Sequence, residues 1–358
     1  MLDPIVDVDS PAFQPLVRRL AERAGAVDAG GNWPGESLAD CMQAGVPRWF
    51  LAEAQGGRRW SEPDLLKAYV RLAGACMTTT FILTQFLGAC KRIAAAPEFP
   101  GKDKLLHDLL AGRAFATVGI SHLTTSRRHL GRPALAARRD GQGFLLDGYS
   151  PWVTGAEEAD WVVMGAALED GQQIVTLVST SLPGIVVDQP QSLTALNGSR
   201  TGAVRLEGVR VEAAHLLTGP MENVLGQGAA GAGGLQTSAL AVGLARAASQ
   251  FLLDEAARRT ELVEPAEALA SQTEELLTDL LAASVGEGSC SSSEIRQRAN
   301  GLALRTSQAA LGAAKGAGYV SGHPAGRWCR ESLFFLVWSC PAPVQQAHLC
   351  ELAGLESL

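Results

Sequence analysis

The chain is poor in charge and in the residue types that mark special chemistry. Only 19% of its 358 residues are Asp, Glu, Lys or Arg, and it holds three tyrosines, five methionines and six histidines. Acids outnumber bases by 37 to 30, a net charge of -7, which leaves no basic face of the kind a nucleic acid demands. A Cys-x-x-Cys pair is also missing. The seven cysteines (Cys41, Cys76, Cys90, Cys290, Cys329, Cys340, Cys350) are odd in number and scattered, so reduced thiols are expected, with no metal or disulfide framework. Long apolar runs are absent too. The longest, residues 76–90, is broken by Thr78, Thr79, Thr80, Thr84 and Gln85 and falls short of the roughly 18 apolar residues of a membrane span. The start, Met1-Leu2-Asp3-Pro4-Ile5-Val6-Asp7, is acidic where a secretory leader is basic and then apolar. Together these absences predict a cytoplasmic protein with neither membrane nor nucleic acid as partner.

What the chain does have is apolar residues, 47% of the total, enough for a sizeable core and for two or three domains. Residues 10–26 place Phe13, Leu16, Val17, Leu20 and Ala24 at helical spacing behind Ser10 as a cap. Residues 63–94 read as a buried helical hairpin, broken by residues 97–101 and followed by a short helix over 102–112. Strand signals then take over. Asp140-Gly141 and Asp170-Gly171 are turn dipeptides between apolar alternations over 135–138, 144–146 and 174–178, and no comparable strand is expected before Thr117 or after His215. Helices return over 235–259, 264–283, 291–312, 327–337 and 345–352, with residues 228–234 as a flexible lead. Strands segregated between helices predict an α+β multidomain fold with domains 1–116, 117–219 and 220–358.

The motifs inside this frame are Gly148-Tyr149-Ser150-Pro151-Trp152-Val153-Thr154-Gly155-Ala156 with Ala159-Asp160, then Pro183-Gly184-Ile185, Leu206-Glu207-Gly208-Val209-Arg210-Val211, and Gly316-Ala317-Gly318-Tyr319 ahead of Arg330-Glu331. In their order and spacing the chain resembles the acyl-CoA dehydrogenase superfamily of flavoproteins. The resemblance covers nearly the whole chain. It implies an N-terminal helical domain, a middle β-domain, a C-terminal four-helix bundle that assembles a homodimer or homotetramer, and FAD as cofactor.

A flavin ring needs a flat apolar wall on one side and hydrogen-bond donors along its edge, which an indole and hydroxyls supply. Residues i and i+2 of a strand share a face, so Trp152 and Thr154 are expected to address one ring. Taken alone, Trp152 reads as a sheet-core aromatic; the resemblance implies the cofactor role, with Ser121 on a neighbouring strand. It also implies Arg259 and the turn at Gly316 and Gly318 as contacts to the ADP end of a neighbouring subunit's flavin, where glycine lets backbone amides approach phosphate.

Removing a proton beside a thioester carbonyl requires a base, and relatives place a Glu after their Arg-Asp pair. Aligned on Arg330-Glu331, that position holds Ser339, while Gln236 occupies the other position some relatives use. Neither takes a proton unaided. His122, next to Ser121, is the other catalytic candidate because histidine titrates near neutrality. Arg127 and Arg128 are candidates for a phosphate of CoA or of a carrier, and residues 78–80 are expected to bond their own helix carbonyls. Three functions fit: a flavin-dependent oxidoreductase acting on an acyl thioester or related small molecule with Ser339 in place of the usual Glu, a flavin-dependent monooxygenase of the same fold using reduced FMN or FAD as cosubstrate, and a catalytically silent scaffold or carrier partner.

Overall fold

Helical periodicity sets the first third of the chain in a computed structural model that describes residues 2–123, 133–226 and 234–355. α1 (Phe13–Gly30) buries Phe13, Leu16, Leu20, Ala24 and Val27, a stripe at three- and four-residue spacing. Ser10 does not cap it. The cap position is Ala12, whose N–H is accepted by Ser10 Oγ at 3.4 Å ahead of the helix. α2 (Gly35–Gln43) and the single turn α3 (Val46–Trp49) lead to α4 (Glu62–Ala75) and α5 (Met77–Ala95). The expected hairpin is thus two helices parted at Cys76, whose extended backbone (φ -152°) ends one and starts the other. α6 (Lys102–Leu110) follows.

The middle of the chain is an eight-stranded mixed sheet. Its strands are β1 (Ala116–Gly119), β2 (Leu135–Asp140), β3 (Gly143–Val153), β4 (Trp161–Ala167), β5 (Gln173–Ser179), β6 (Ile185–Val187), β7 (Gly202–Glu212) and β8 (Leu216–Met221). They run β6-β7-β3-β2-β4-β5-β8, with β1 parallel to β4. β8 corrects the expectation that strands end at His215. Its Gly219 and Pro220 hide any alternation, and only pairing with β5, as in Val175↔Thr218, makes it a strand.

The last third holds α7 (Leu235–Ala256), α8 (Val263–Ser284), α9 (Ser292–Gly318), α10 (Pro324–Leu333) with a further turn at Phe334–Leu336, and α11 (Ala342–Leu352). α9 opens on a capping box, in which Ser291 Oγ accepts from Glu294 N and Glu294 Oε2 from Ser291 N. Residues 227–233, which take in nearly all of the expected flexible lead, lie outside the described residues. Two cores result. One lies within the sheet around Leu146, Val162 and Val204. The other runs unbroken from the N-terminal to the C-terminal helices. The glycine pair Gly74 and Gly243 lets α4 and α7 cross closely, since a Cβ on Gly243 would fall 2.5 Å from the Val70 carbonyl. Phe115 joins sheet to helices, stacked on Phe86 and edge-on to Trp33. Among the described residues no helix is long and apolar enough to cross a membrane.

Candidate functional site

Between Ser150↔Val204 and Val153↔Gly202, β3 advances three residues against two of β7. One residue is therefore extra, and such a bulge re-aims the side chains beside it. Trp152 emerges here at 53% exposure while Val153 and Thr154 are buried. The expected sharing of one strand face by Trp152 and Thr154 is corrected: the strand stops at Val153 and Thr154 lies in the turn beyond. Bulge and turn, not alternation, set their relation.

Thr154 is held on every side. Its carbonyl accepts from Thr117 Oγ1 at 2.8 Å. Its hydroxyl lies 3.1 Å from Thr201 Oγ1, which lies 2.8 Å from Ser199 Oγ. Three hydroxyls sharing two bonds leave one hydrogen over for a further acceptor. Gly155 closes the turn at φ +63°, its N–H donating to Ser199 O at 2.9 Å, and a Cβ there would meet the Trp33 ring at 2.6 Å. Ser199 and Thr201 were not singled out from the sequence; a Ser-x-Thr pair in a loop after a Gly was the only local signal.

The end of β1 abuts the bulge. A Cβ on Gly119 would fall 3.0 Å from Ser150 Oγ and 3.2 Å from Val153, so the one-turn helix Ser121–Leu123 starts beside β3. His122 is buried. Its Nε2 lies 2.7 Å from the Gly165 carbonyl, which can only accept, so Nε2 carries the proton and Nδ1 is a lone pair with no hydrogen bond among the described residues. Burial lowers its pKa and keeps the ring neutral. Ser150 Oγ is likewise buried with no partner among the described residues. An exposed indole, a hydroxyl chain with a spare hydrogen and unsatisfied buried polar atoms in one corner fit a flat, polar-edged ligand such as a flavin. Arg127 and Arg128 lie outside the described residues.

The other candidates stand on separate elements. Arg259 donates to the Ala313 carbonyl at 2.7 Å and pairs with Glu255 and Glu261. Two residues after Ala313, Lys315 breaks α9 (φ +53°), which brings Arg259 and the Gly316–Gly318 turn to one end of the bundle. Ser339 is a half-buried residue with left-handed backbone (φ +47°) and carries no charge. Its neighbour Trp338 stacks on Phe334 and meets Phe81 of α5 edge-on at 5.0 Å. Glu331 is buried against Arg327 at 3.7 Å, and burial pushes its pKa up to about 7. In residues 78–80, Thr80 bonds the Cys76 carbonyl as expected, while Thr79 reaches the Cys76 sulfur.

No protein-family model matches the chain. A curated relative, the probable acyl-CoA dehydrogenase YngJ of Bacillus subtilis, is 27% identical over 256 residues, 69% of this chain and 67% of the relative. The chain is similar in sequence to acyl-CoA dehydrogenases and has their fold. Two solved acyl-CoA dehydrogenases show how fully that fold is kept. Butyryl-CoA dehydrogenase from Megasphaera elsdenii superposes with a TM-score of 0.80 at 16% identity over 99% of both chains. A glutaryl-CoA dehydrogenase from Mycobacterium smegmatis, in complex with FADH2, does so at 0.80 and 16% over 98% of this chain and 97% of that one.

Proposed function

We propose that this acyl-CoA dehydrogenase relative binds FAD in the corner formed by the β3 bulge and the end of β1, and acts as an oxidoreductase on an acyl thioester. The observation that carries the reading is the half-exposed Trp152 beside a hydroxyl chain that retains one hydrogen to donate. FAD, when bound, supplies an acceptor for a hydride. The chain's own residues do the rest. Trp152 walls one side and keeps water off. Thr154, fixed through Thr117 and Thr201, offers its hydroxyl at the edge, and Ser121 approaches from the one-turn helix that follows β1, not from a strand as expected. Arg259 with Gly316 and Gly318 serves the phosphates from a neighbouring copy in a homodimer or homotetramer. Ser339 occupies the position facing the acyl group but holds no base, so proton acceptance falls to the bare Nδ1 of the neutral His122. The FADH2 complex of a relative and the dehydrogenase names of others support this reading.

The uncharged Ser339 favours a second reading, in which reduced flavin and oxygen act without any carboxylate. The absorption spectrum separates the two. A yellow protein bleached anaerobically by an acyl thioester supports the first. Binding of reduced flavin only, with oxygen uptake, supports the second, and a colourless protein that binds neither removes both.

A further inference from the structure

Arg296 of α9 is 1% exposed and faces the segment that carries Ser339. Its Nη2 donates to the Trp338 carbonyl at 2.8 Å, while Nε and Nη1 make no hydrogen bond among the described residues. One turn on, the fully buried Asn300 donates to the Phe335 carbonyl at 3.0 Å, its own Oδ1 without a partner among the described residues. α9 therefore grips this segment at two carbonyls. Among the described residues no carboxylate forms an ion pair with Arg296, and the neighbouring Cys340 thiol, its pKa raised by burial, is no counter-charge at neutral pH. The nearby acid Glu351 faces His348 at 3.5 Å and Arg305 at 3.6 Å instead. Burial draws the Arg296 pKa down only to about 10, so the guanidinium is cationic at neutral pH. Its field reaches His348 on α11, a buried ring with an unpartnered Nε2 whose pKa falls mainly through burial and further through Arg296. An unneutralised buried charge is destabilising, as when one member of a buried pair is removed.

The charge is spent on one peptide. A carbonyl that accepts from a cation polarises its own amide, so the N–H on the far side, that of Ser339, becomes a stronger donor. Among the described residues that N–H makes no hydrogen bond. The left-handed turn leaves Ser339 half exposed, so a ligand can reach it.

We propose that the turn at Ser339 is a carboxylate-binding site, its N–H and hydroxyl contacting the anion and Arg296 acting as the positioning residue behind the Trp338–Ser339 peptide. A Glu at position 339 would neutralise Arg296 within the chain; with Ser there, the ligand brings the negative charge. This deepens the reading above, on which it rests for the identity of the ligand, by giving the substrate class: an acyl group that bears its own carboxylate.

Thermal unfolding of the full-length chain tests this, with acetate as probe against chloride at equal ionic strength and pH 8. Acetate should raise the wild-type Tm by roughly 3 °C at about a hundred times its Kd. Ser339→Glu should melt above wild type and lose the acetate response, because the site is filled from within. Arg296→Gln should abolish both effects; if that variant does not fold, the first pair decides alone. No acetate response beyond chloride in wild type, an equal response in Ser339→Glu, or a Ser339→Glu chain that melts below wild type would overturn the proposal. These melts need no flavin. A chain that answers acetate but never binds FAD removes the flavin reading and leaves the anion site standing, and the opposite result does the reverse.

Discussion

Two turns carry the chemistry in the reading proposed above, and they are built in opposite ways. At Thr154 the polar groups are tied down: one carbonyl bond, a run of three hydroxyls, and a glycine wedged under Trp33. At Ser339 the backbone is fixed from behind by Arg296, yet the guanidinium, the Asn300 oxygen and the His348 nitrogen beside it stay unsatisfied. The first turn is pre-organised and closed, as a surface that orients a rigid cofactor must be. The second holds unmet electrostatic demand, which a bound anion satisfies.

Substitutions can break this contrast in graded steps. Gly155→Ala should cost the most, about 3 kcal/mol, because a Cβ strikes the Trp33 ring and the residue must keep a left-handed backbone; urea unfolding measures it, and a loss below 1 kcal/mol would mean the turn is soft. Next comes the buried pair that, unlike Arg296, has its acid. Glu331 titrates near 7 in the folded chain against an ordinary 4.5, burial being the main cause and Arg327 opposing it. The folded chain binds that proton more tightly than the unfolded one. Its contribution is therefore complete below about pH 4.5 and disappears as pH rises through 7, on the order of 3 kcal/mol. Glu331→Gln should flatten this fall in urea midpoints between pH 4.5 and 8; an unchanged slope would show that the group is not buried as described.

Smaller effects sharpen the same contrast. Thr201→Val breaks both hydroxyl bonds and should cost about 1–2 kcal/mol in chemical unfolding. Ser339→Ala removes a hydroxyl that makes no hydrogen bond among the described residues and should stay within about 0.5 kcal/mol. Equal costs at the two positions would erase the distinction between a closed and an open turn. Trp152→Ala should cost about 1–2 kcal/mol, since half of that side chain is still buried.

How far the sequence revealed this depended on whether a signal was local. The stripe of α1 and the Asp-Gly turns are written within a few residues of the structure they produce, and the order of elements followed from such signals; the capping box of α9, equally local, went unread. β8 was invisible because its pairing with β5 comes from over forty residues upstream and its own Gly-Pro pair argues against a strand. Trp152 was legible as a residue type, but its exposure was not, since the bulge depends on register with β7. Arg296 was passed over entirely. One Arg on a helix reads as a solvated charge until the C-terminal segment packs across it, and no pattern near residue 296 announces that packing.

The account stands on the indole at the β3 bulge being the wall of a flavin site. Titrating FAD into wild type and Trp152→Ala, followed by flavin fluorescence and absorption, should show at least a tenfold loss of affinity in the variant with folding intact. Equal affinity in the two proteins, or no binding in either with oxidised or reduced flavin, would contradict it.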